Sequence, residues 1–370
     1  FCTFILFTNY FPDVMDKAQF YSKDPWLKPF TGVIEQRLSR CLSKERQLTR
    51  QRSLTDFAMG HYFYGLLKRD NSWTFREWAP NATDIYLIGT FNDWKESSQY
   101  RLSRMSDGDW EIILPGNFIH HGDLYKLSVY WDGGHGERIP SYAVRVVQDD
   151  KTKIFSAQVW DPEKKYKWVI EDFKIPQRNL LIYEAHVGMS TPDERIGTYS
   201  EFTKNIIPRI AEAGYNTIQL MAIQEHPYYG SFGYHVSSFF AASSKFGTPE
   251  ELKELIDVAH QAGLIVIMDI VHSHSVKNIN EGLGLFDGSQ GQYFHTNERR
   301  YHKAWDSLCF DYGKDKVIHF LLSNCRYWLE EYKFDGFRFD GVTSMIYYDH
   351  GLEKNFTEYI EYFNEGQDID

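Results

Sequence analysis

Between residues 180 and 340, apolar runs of strand length alternate with longer amphipathic stretches, and this alternation restricts the fold more than any other feature of the chain. LLIYEAHVG (180–188), NTIQLMAI (216–223), LIVIMDIVHSH (264–274) and FDGFRFD (334–340) read as buried strands. EFTKNIIPRIAEAG (201–214), TPEELKELIDVAHQAG (248–263) and KVIHFLLSNCRYWLEEY (316–332) read as helices. The second of these has a Thr to cap it, a Pro at its first position and a Gly to end it. Alternating strand and helix implies a parallel sheet with right-handed crossovers. A closed (β/α)8 barrel needs eight strands and ~250 residues. At most four strand–helix steps fit here, so residues 166–370 are expected to hold the first half of such a barrel, an α/β unit.

Two regions of different character precede it. Residues 1–57 read as a helical lead-in, with Pro-punctuated DPWLKPF (24–30) followed by Ile34, Leu38 and Leu42 at every fourth position. Residues 58–165 carry short apolar runs (WTFREWAP, DIYLIGTF, WEIILPG, LYKLSVYW) broken by turn residues, the pattern of an all-β sandwich. The apolar start, FCTFILFTNYF, is shorter than the ~20 residues that cross a bilayer. It also lacks the basic segment of a signal peptide, so no membrane partner is expected.

Acidic residues outnumber basic ones, 51 to 40, which argues against nucleic acid as a partner because no phosphate-neutralising surplus exists. The cysteines at 2, 41, 309 and 325 form no CxxC pair, so neither a zinc knuckle nor a redox motif is indicated. Reduced thiols in a cytoplasmic protein are the expectation. Aromatic residues make up 17% of the chain. Aromatic faces can stack on sugar rings, although most serve a core.

In parallel barrels the active site lies at the C-terminal ends of the strands. Tyr234 and His235 follow the second strand, Asp269, His272 and His274 lie at the end of the third, and Arg338 and Asp340 at the end of the fourth. Arg338 and Asp340 are two residues apart and face one side of an extended strand. A guanidinium there keeps the carboxylate ionised and aimed, as a glycosidic nucleophile requires. A purely structural ion pair at the strand end fits the spacing slightly better. Asp269 and His274 fit contacts to a sugar, but His272 and His274 also form an HxH pair that could ligate a metal, and either His could simply cap the strand by hydrogen bonding. In the sandwich region, GTFNDW (89–94), Trp110, Lys126 and Trp131 fit an aromatic platform for a glucan, or the filling of a small β core.

Long continuous motifs bear on these alternatives. DIVHSH, GFRFDGVTSM (336–345) and GYHVSSFFAASSKFGTPEELKELIDVAHQAG (233–263) resemble the 1,4-α-glucan branching enzymes of the α-amylase clan, glycoside hydrolase family 13. WDSLCF and RYWLEEYKFDGFRFDGVTSM strengthen the match, and the eukaryotic glycogen type is the nearest in pattern. WAPNATDIYLIGTFNDW resembles the family 48 carbohydrate-binding module that precedes these barrels. The resemblance runs from about residue 24 to residue 370. It implies that Asp340 is the nucleophile and Arg338 its partner. It implies that Asp269 and His274 contact the substrate sugar and that Tyr234 stacks beneath it. It matches Trp94 and Lys126, and more loosely Trp131, to the glucan-contacting positions of the module. No metal or organic cofactor is implied, and the partner is an α-glucan polymer. The family's general acid/base is a Glu on the fifth strand, and the chain reaches Asp370 without it. Glu353, Glu358, Glu361 and Glu365 follow the nucleophile, but none sits on a plausible fifth strand. These 370 residues alone are therefore expected to be inactive.

Overall fold

The structure, a computed structural model, describes residues 4–5, 24–363 and 366–367. Most of the apolar start, with Cys2, lies outside these residues.

Phe4–Ile5 forms a two-residue strand, β1. Asp24 caps a 3-10 turn over Pro25–Phe30 through its side chain, and the long helix α1 (Thr31–Thr49) and the short α2 (Leu54–Phe57) follow. The four-residue stripe expected on α1 is only partly a buried face. Ile34 is buried, but Leu38 and Leu42 are exposed. The helix is held instead by polar tethers: Lys44 pairs with Asp315 at 2.7 Å and Arg37 donates to the Tyr362 carbonyl.

Nine strands then build the sandwich: β2 (Gly65–Arg69), β3 (Ser72–Trp78), β4 (Ala82–Gly89), β5 (Ser103–Arg104), β6 (Asp109–Pro115), β7 (Leu124–Trp131), β8 (Gly134–Arg138), β9 (Val146–Gln148) and β10 (Phe155–Gln158). One sheet runs β2-β3-β6-β5, the other β4-β7-β10-β9 with β8 alongside β7. Alternation puts Trp73 and Phe75 of β3, Ile85 and Leu87 of β4, and Leu127 and Val129 of β7 in the shared core.

The parallel unit begins at β11 (Ile182–Ala185). The helix expected over 201–214 is two pieces, α3 (Tyr199–Asn205) and α4 (Ile207–Glu212), with Pro208 in the first turn of the second. Pro208 has no N–H to continue the ladder, so the helix restarts there. β12 (Thr217–Leu220) leads into a hairpin, β13 (Gln224–Glu225) with β14 (Ser238–Ala242), which the strand–helix alternation did not reveal. α5 (Pro249–Gln261) starts at a capping box in which Thr248 and Glu251 exchange hydrogen bonds. It buries Leu252, Leu255, Ile256 and Ala259 completely. At ~1.5–3 kcal/mol per large apolar side chain, that face rather than intrinsic propensity holds the helix. β15 (Ile265–Ile270), β16 (Ser275–Val276), β17 (Ser307–Leu308), α6 (Asp315–Glu331), β18 (Gly336–Phe339), α7 (Val342–Ile346) and α8 (Tyr359–Phe363) complete the order.

β11, β12, β15 and β18 lie side by side in chain order, each parallel to the last, as in the first half of a (β/α)8 barrel. β1 pairs antiparallel with the outer edge of β18. Sandwich and half-barrel share one continuous apolar core, with Tyr142 stacked on Phe240 of β14 at 4.5 Å. No helix among the described residues is long and apolar enough to cross a membrane.

Candidate active site

The register of two strands assembles the site. Asp269 on β15 is the direct neighbour of Arg338 on β18, and the ladder runs one step further, from the Asp340 N–H to the Ile270 carbonyl at 3.0 Å. Asp269, Arg338 and Asp340 therefore share one face of the sheet, while Met268 and Phe337 are buried under the helices on the other. Nη1 of Arg338 donates to both oxygens of Asp269, at 2.8 and 3.0 Å, and to Oδ1 of Asp340 at 2.7 Å. One cationic nitrogen thus bridges two carboxylates. The Tyr234 hydroxyl donates to Oδ2 of Asp269 at 2.9 Å.

Asp269 is fully buried. Burial pushes its pKa up to about 6, against the opposing pull of the hydrogen bond and charge of Arg338. Tyr234 is pushed upward as well, first by burial and then by the neighbouring Asp269 charge, so it remains a hydroxyl donor. Asp340 is the more open of the two carboxylates, its side chain 19% exposed against 0% for Asp269. An accessible carboxylate held by a guanidinium at a strand end has the placement of a nucleophile.

His274 closes the network from below. Its Nε2–H donates to the Tyr234 carbonyl at 2.8 Å, and its Nδ1 accepts from the Ser273 hydroxyl at 2.9 Å. Burial lowers its pKa to about 4, so the ring is neutral and its tautomer is set by these two partners. It fixes the backbone that carries Tyr234. His272 does not share a face with it. β15 ends at Ile270, and His272 points into the core, where Nε2 meets Asn324 Oδ1 at 2.9 Å. The HxH pair is therefore split between two environments, which removes the geometry for a shared metal. Among the described residues no group of three or more His, Cys, Asp or Glu side chains could hold a metal ion. His235 is also near, its Nε2–H donating to the Trp305 carbonyl at 3.2 Å.

Two residues emerge that the sequence reasoning did not assign. Trp305 stacks on His302 (3.9 Å, 2°) and lies 5.1 Å from His274. It also backs the turn after Asp340: a Cβ on Gly341, where φ is +63°, would lie 2.8 Å from the indole and 2.6 Å from Ser273 Oγ. Tyr312 donates its hydroxyl to the His272 carbonyl at 2.8 Å and so pins the loop that leaves β15. WDSLCF (305–310) was the available signal for Trp305, as a motif without an assigned role. Of the later carboxylates, Glu353 sits in a turn, Glu358 in a bend and Glu361 in α8, where Glu361 accepts from the Thr357 and Glu358 N–H groups. Glu365 lies outside the described residues.

In the sandwich, Trp94 is exposed at the FNDW turn, which Asn92 ties by accepting from the Gly89 N–H at 2.8 Å. Lys126 lies on the outer face of β7, paired with Glu137 at 2.9 Å. Trp131 is elsewhere. It has the inward parity of Leu127 and Val129, and its indole packs on Gly288 in the half-barrel unit, where a Cβ would lie 2.1 Å away. The three module residues do not form one surface.

Comparison with known proteins agrees with this architecture. Residues 63–143 match Carbohydrate-binding module 48 (Isoamylase N-terminal domain), and residues 190–302 match Alpha amylase, catalytic domain. The chain is 48% identical to the 1,4-alpha-glucan-branching enzyme of Yarrowia lipolytica over 92% of its own length and 51% of the relative's. It is 45% identical to the 1,4-alpha-glucan-branching enzyme 2-2, chloroplastic/amyloplastic, of Arabidopsis thaliana over 97% of the chain and 46% of the relative. With the 1,4-alpha-glucan-branching enzyme of Equus caballus the figures are 44%, 97% and 52%. The chain thus spans about half the length of the curated relatives it matches. Among solved structures, a putative alpha amylase from Salmonella typhimurium superposes with a TM-score of 0.62 at 25% identity, over 75% of this chain and 43% of that one. Tandem family matches, high identity along nearly all of its length and the shared half-barrel together show that the chain belongs to the family of the 1,4-alpha-glucan-branching enzymes in the α-amylase clan.

Proposed function

We propose that this chain is the donor-side half of a 1,4-α-glucan branching enzyme. The observation that carries the reading is the Arg338 bridge: one guanidinium nitrogen on both Asp269 and Asp340, with Tyr234 closing the ring of polar contacts. In the proposed reaction Asp340 attacks the anomeric carbon of an α-1,4-linked glucan and the C1–O4 bond breaks. The departing 4-oxygen takes a proton from a general acid, which in the proposed reaction is the Glu that the family resemblance implies on a fifth barrel strand. The 6-hydroxyl of an acceptor chain then attacks C1, expels Asp340 and returns its proton to the same group, leaving an α-1,6 branch with retained configuration. Retention requires the two carboxyl groups ~5 Å apart. Arg338 holds Asp340 aimed, Asp269 supports Arg338 and Tyr234 from the buried side, and Tyr234 meets the face of the donor sugar. Proton transfer by a positioned acid/base supplies ~10²–10⁴ in rate, so these residues by themselves are expected to bind glucan without branching it.

The test is the intact mass of the protein from its source, with a branching assay on the same sample. We expect a species near twice this chain's 43.6 kDa that forms branches, and loss of roughly 10³-fold or more in kcat on Asp340→Asn. Branching by the 370-residue chain alone, or full activity of the Asp340→Asn enzyme, overturns the assignment.

A further inference from the structure

Asp340 stands between a strand and a turn, and different contacts hold each. On the strand side its N–H joins the ladder at Ile270, and Arg338 Nη1 grips Oδ1 at 2.7 Å. On the other side the chain bends at once through Gly341, at φ +63°, into the first turn of α7, where the Ser344 N–H donates to the Gly341 carbonyl at 2.9 Å. Buried His302 reaches this turn by two routes. Its Nε2–H donates to the Ser344 hydroxyl at 2.8 Å. Its ring lies flat on the Trp305 indole, at 3.9 Å and 2°, and a Cβ on Gly341 would lie 2.8 Å from that indole. His302 Nδ1 accepts from both the Ala304 and the Trp305 N–H groups, at 3.1 Å each. An imidazole nitrogen that accepts two N–H groups carries no proton, so the other nitrogen is the donor and the ring is neutral. Burial, with the neighbouring His350 and His274, acts in the same direction and lowers its pKa to about 4. His350 packs beside the ring at 4.2 Å and 41°.

We propose that His302 is a positioning residue for Asp340: through Ser344 and Trp305 it fixes the turn that sets the angle at which the carboxylate meets the anomeric carbon. This role rests on the branching reading above and adds to it how the nucleophile is held. A carboxylate attacks C1 only in line with the departing bond, and a displacement of about 1 Å can cost ~10²-fold in rate. The guanidinium holds one oxygen of Asp340 at 2.7 Å, but the backbone beneath that oxygen is free to swing unless the turn after it is fixed. His302 supplies that restraint from a loop, residues 302–306, which is itself tied down. The His302 N–H donates to the Ser307 carbonyl at 3.0 Å, and His235 Nε2–H donates to the Trp305 carbonyl at 3.2 Å. Loss of His302 therefore falls on the chemical step, while binding of the glucan in its ground state is left to other groups.

The experiment is branching kinetics of the intact protein from its source sequence, with the variants His302→Phe, His302→Gln and Ser344→Ala, each checked for native near-UV dichroism. Phe keeps an aromatic face for Trp305 and loses both polar links. Gln keeps an N–H donor for Ser344. For His302→Phe the expected result is a fall in kcat of ~10-fold or more with KM within about twofold of the wild type. His302→Gln should recover kcat to within about threefold of the wild type, and Ser344→Ala should lower it by about threefold or more with KM unchanged. A folded His302→Phe with the wild-type kcat, or with its whole loss in KM, overturns the role. So does a His302→Gln as slow as His302→Phe, because the donor to Ser344 then carries nothing. Should His302→Phe fail to fold, Ser344→Ala decides: an unchanged kcat overturns the role, and a lower kcat at constant KM upholds it. Full activity of Asp340→Asn overturns the branching reading and the role of His302 with it. An inactive Asp340→Asn beside a fully active His302→Phe overturns the role alone.

Discussion

Two buried carboxyl groups illustrate how far a residue's neighbours decide its chemistry. Asp269 faces the site and is compensated by Arg338. Glu77, at the end of β3, has no cation among its hydrogen-bond partners: it accepts from the Ser141 N–H (2.8 Å), the Ser141 hydroxyl (2.6 Å) and the Trp78 N–H (3.0 Å). Burial raises its pKa from the ordinary 4.5 to about 7. The native protein therefore keeps this proton at pH values where the unfolded chain has released it. The stabilisation is complete below about 4.5 and is lost as pH rises through about 7, by roughly 3 kcal/mol in all. Chemical denaturation between pH 5 and 7.5 should show stability falling with pH, and Glu77→Gln, which cannot ionise, should flatten that slope. An unchanged slope in the variant would sink the assignment. At the candidate site, the two-residue spacing of Arg338 and Asp340 was legible because a strand puts i and i+2 on one face. The Asp269–Arg338 contact was not, because register between strands far apart in the chain leaves no local mark. The HxH pair misled for a related reason. The backbone of β15 stops at Ile270, and from there side chains take its hydrogen bonds: Gln224 accepts from the Val271 N–H, and Tyr312 donates to the His272 carbonyl.

At the scale of elements, local signals were reliable where they were chemical. The Thr–Pro–Glu–Glu start of α5 forms a reciprocal capping box, with the Thr248 N–H donating to Glu251 at 2.7 Å and the Glu251 N–H to the Thr248 hydroxyl at 3.3 Å. Thr248→Ala should lower stability by about 1 kcal/mol, read as a shift of the urea midpoint without a change of slope. A neutral result would mean that Glu251 alone carries the cap. Periodicity was less reliable than capping. The stripe on α1 predicted a buried face, yet Leu38 and Leu42 are exposed, since a repeat of four shows only which side chains share a face. What covers that face depends on partners elsewhere. The helix over 201–214 divides at Pro208 for a reason written in the sequence but outweighed there by the length of the amphipathic run.

For the molecule as a whole, the main fact is that the sandwich and the half-barrel are not hung on a linker. Asp287, fully buried, accepts from the N–H and side-chain amide of Asn81 at 2.9 Å each, and from the N–H and hydroxyl of Ser289. Arg138 donates to the Leu285 and Phe286 carbonyls, and Trp78 meets Tyr293 edge-on at 5.4 Å. Removing a carboxylate with this many donors leaves buried N–H and O–H groups without acceptors, at ~1–3 kcal/mol each. Asp287→Ala should therefore resolve the single heat-capacity peak expected of the wild type into two, as the module and the catalytic half lose their coupling. One unchanged peak would show that the apolar contacts, such as Tyr142 on Phe240, suffice to keep them together.

The sequence by itself determined the element types, the order of lead-in, sandwich and parallel unit, and the family, because these follow from periodicity, turn chemistry and long contiguous motifs. It also determined that Arg338 and Asp340 stand together. Only the tertiary structure decided which carboxylate shares the guanidinium, that His272 and His274 part company, that Trp305 backs the turn after Asp340, and that Trp131 belongs to the seam rather than the outer face. Each of these depends on strand register or on which element covers a given face. Such relations are set by packing between segments many residues apart, and no local pattern encodes them.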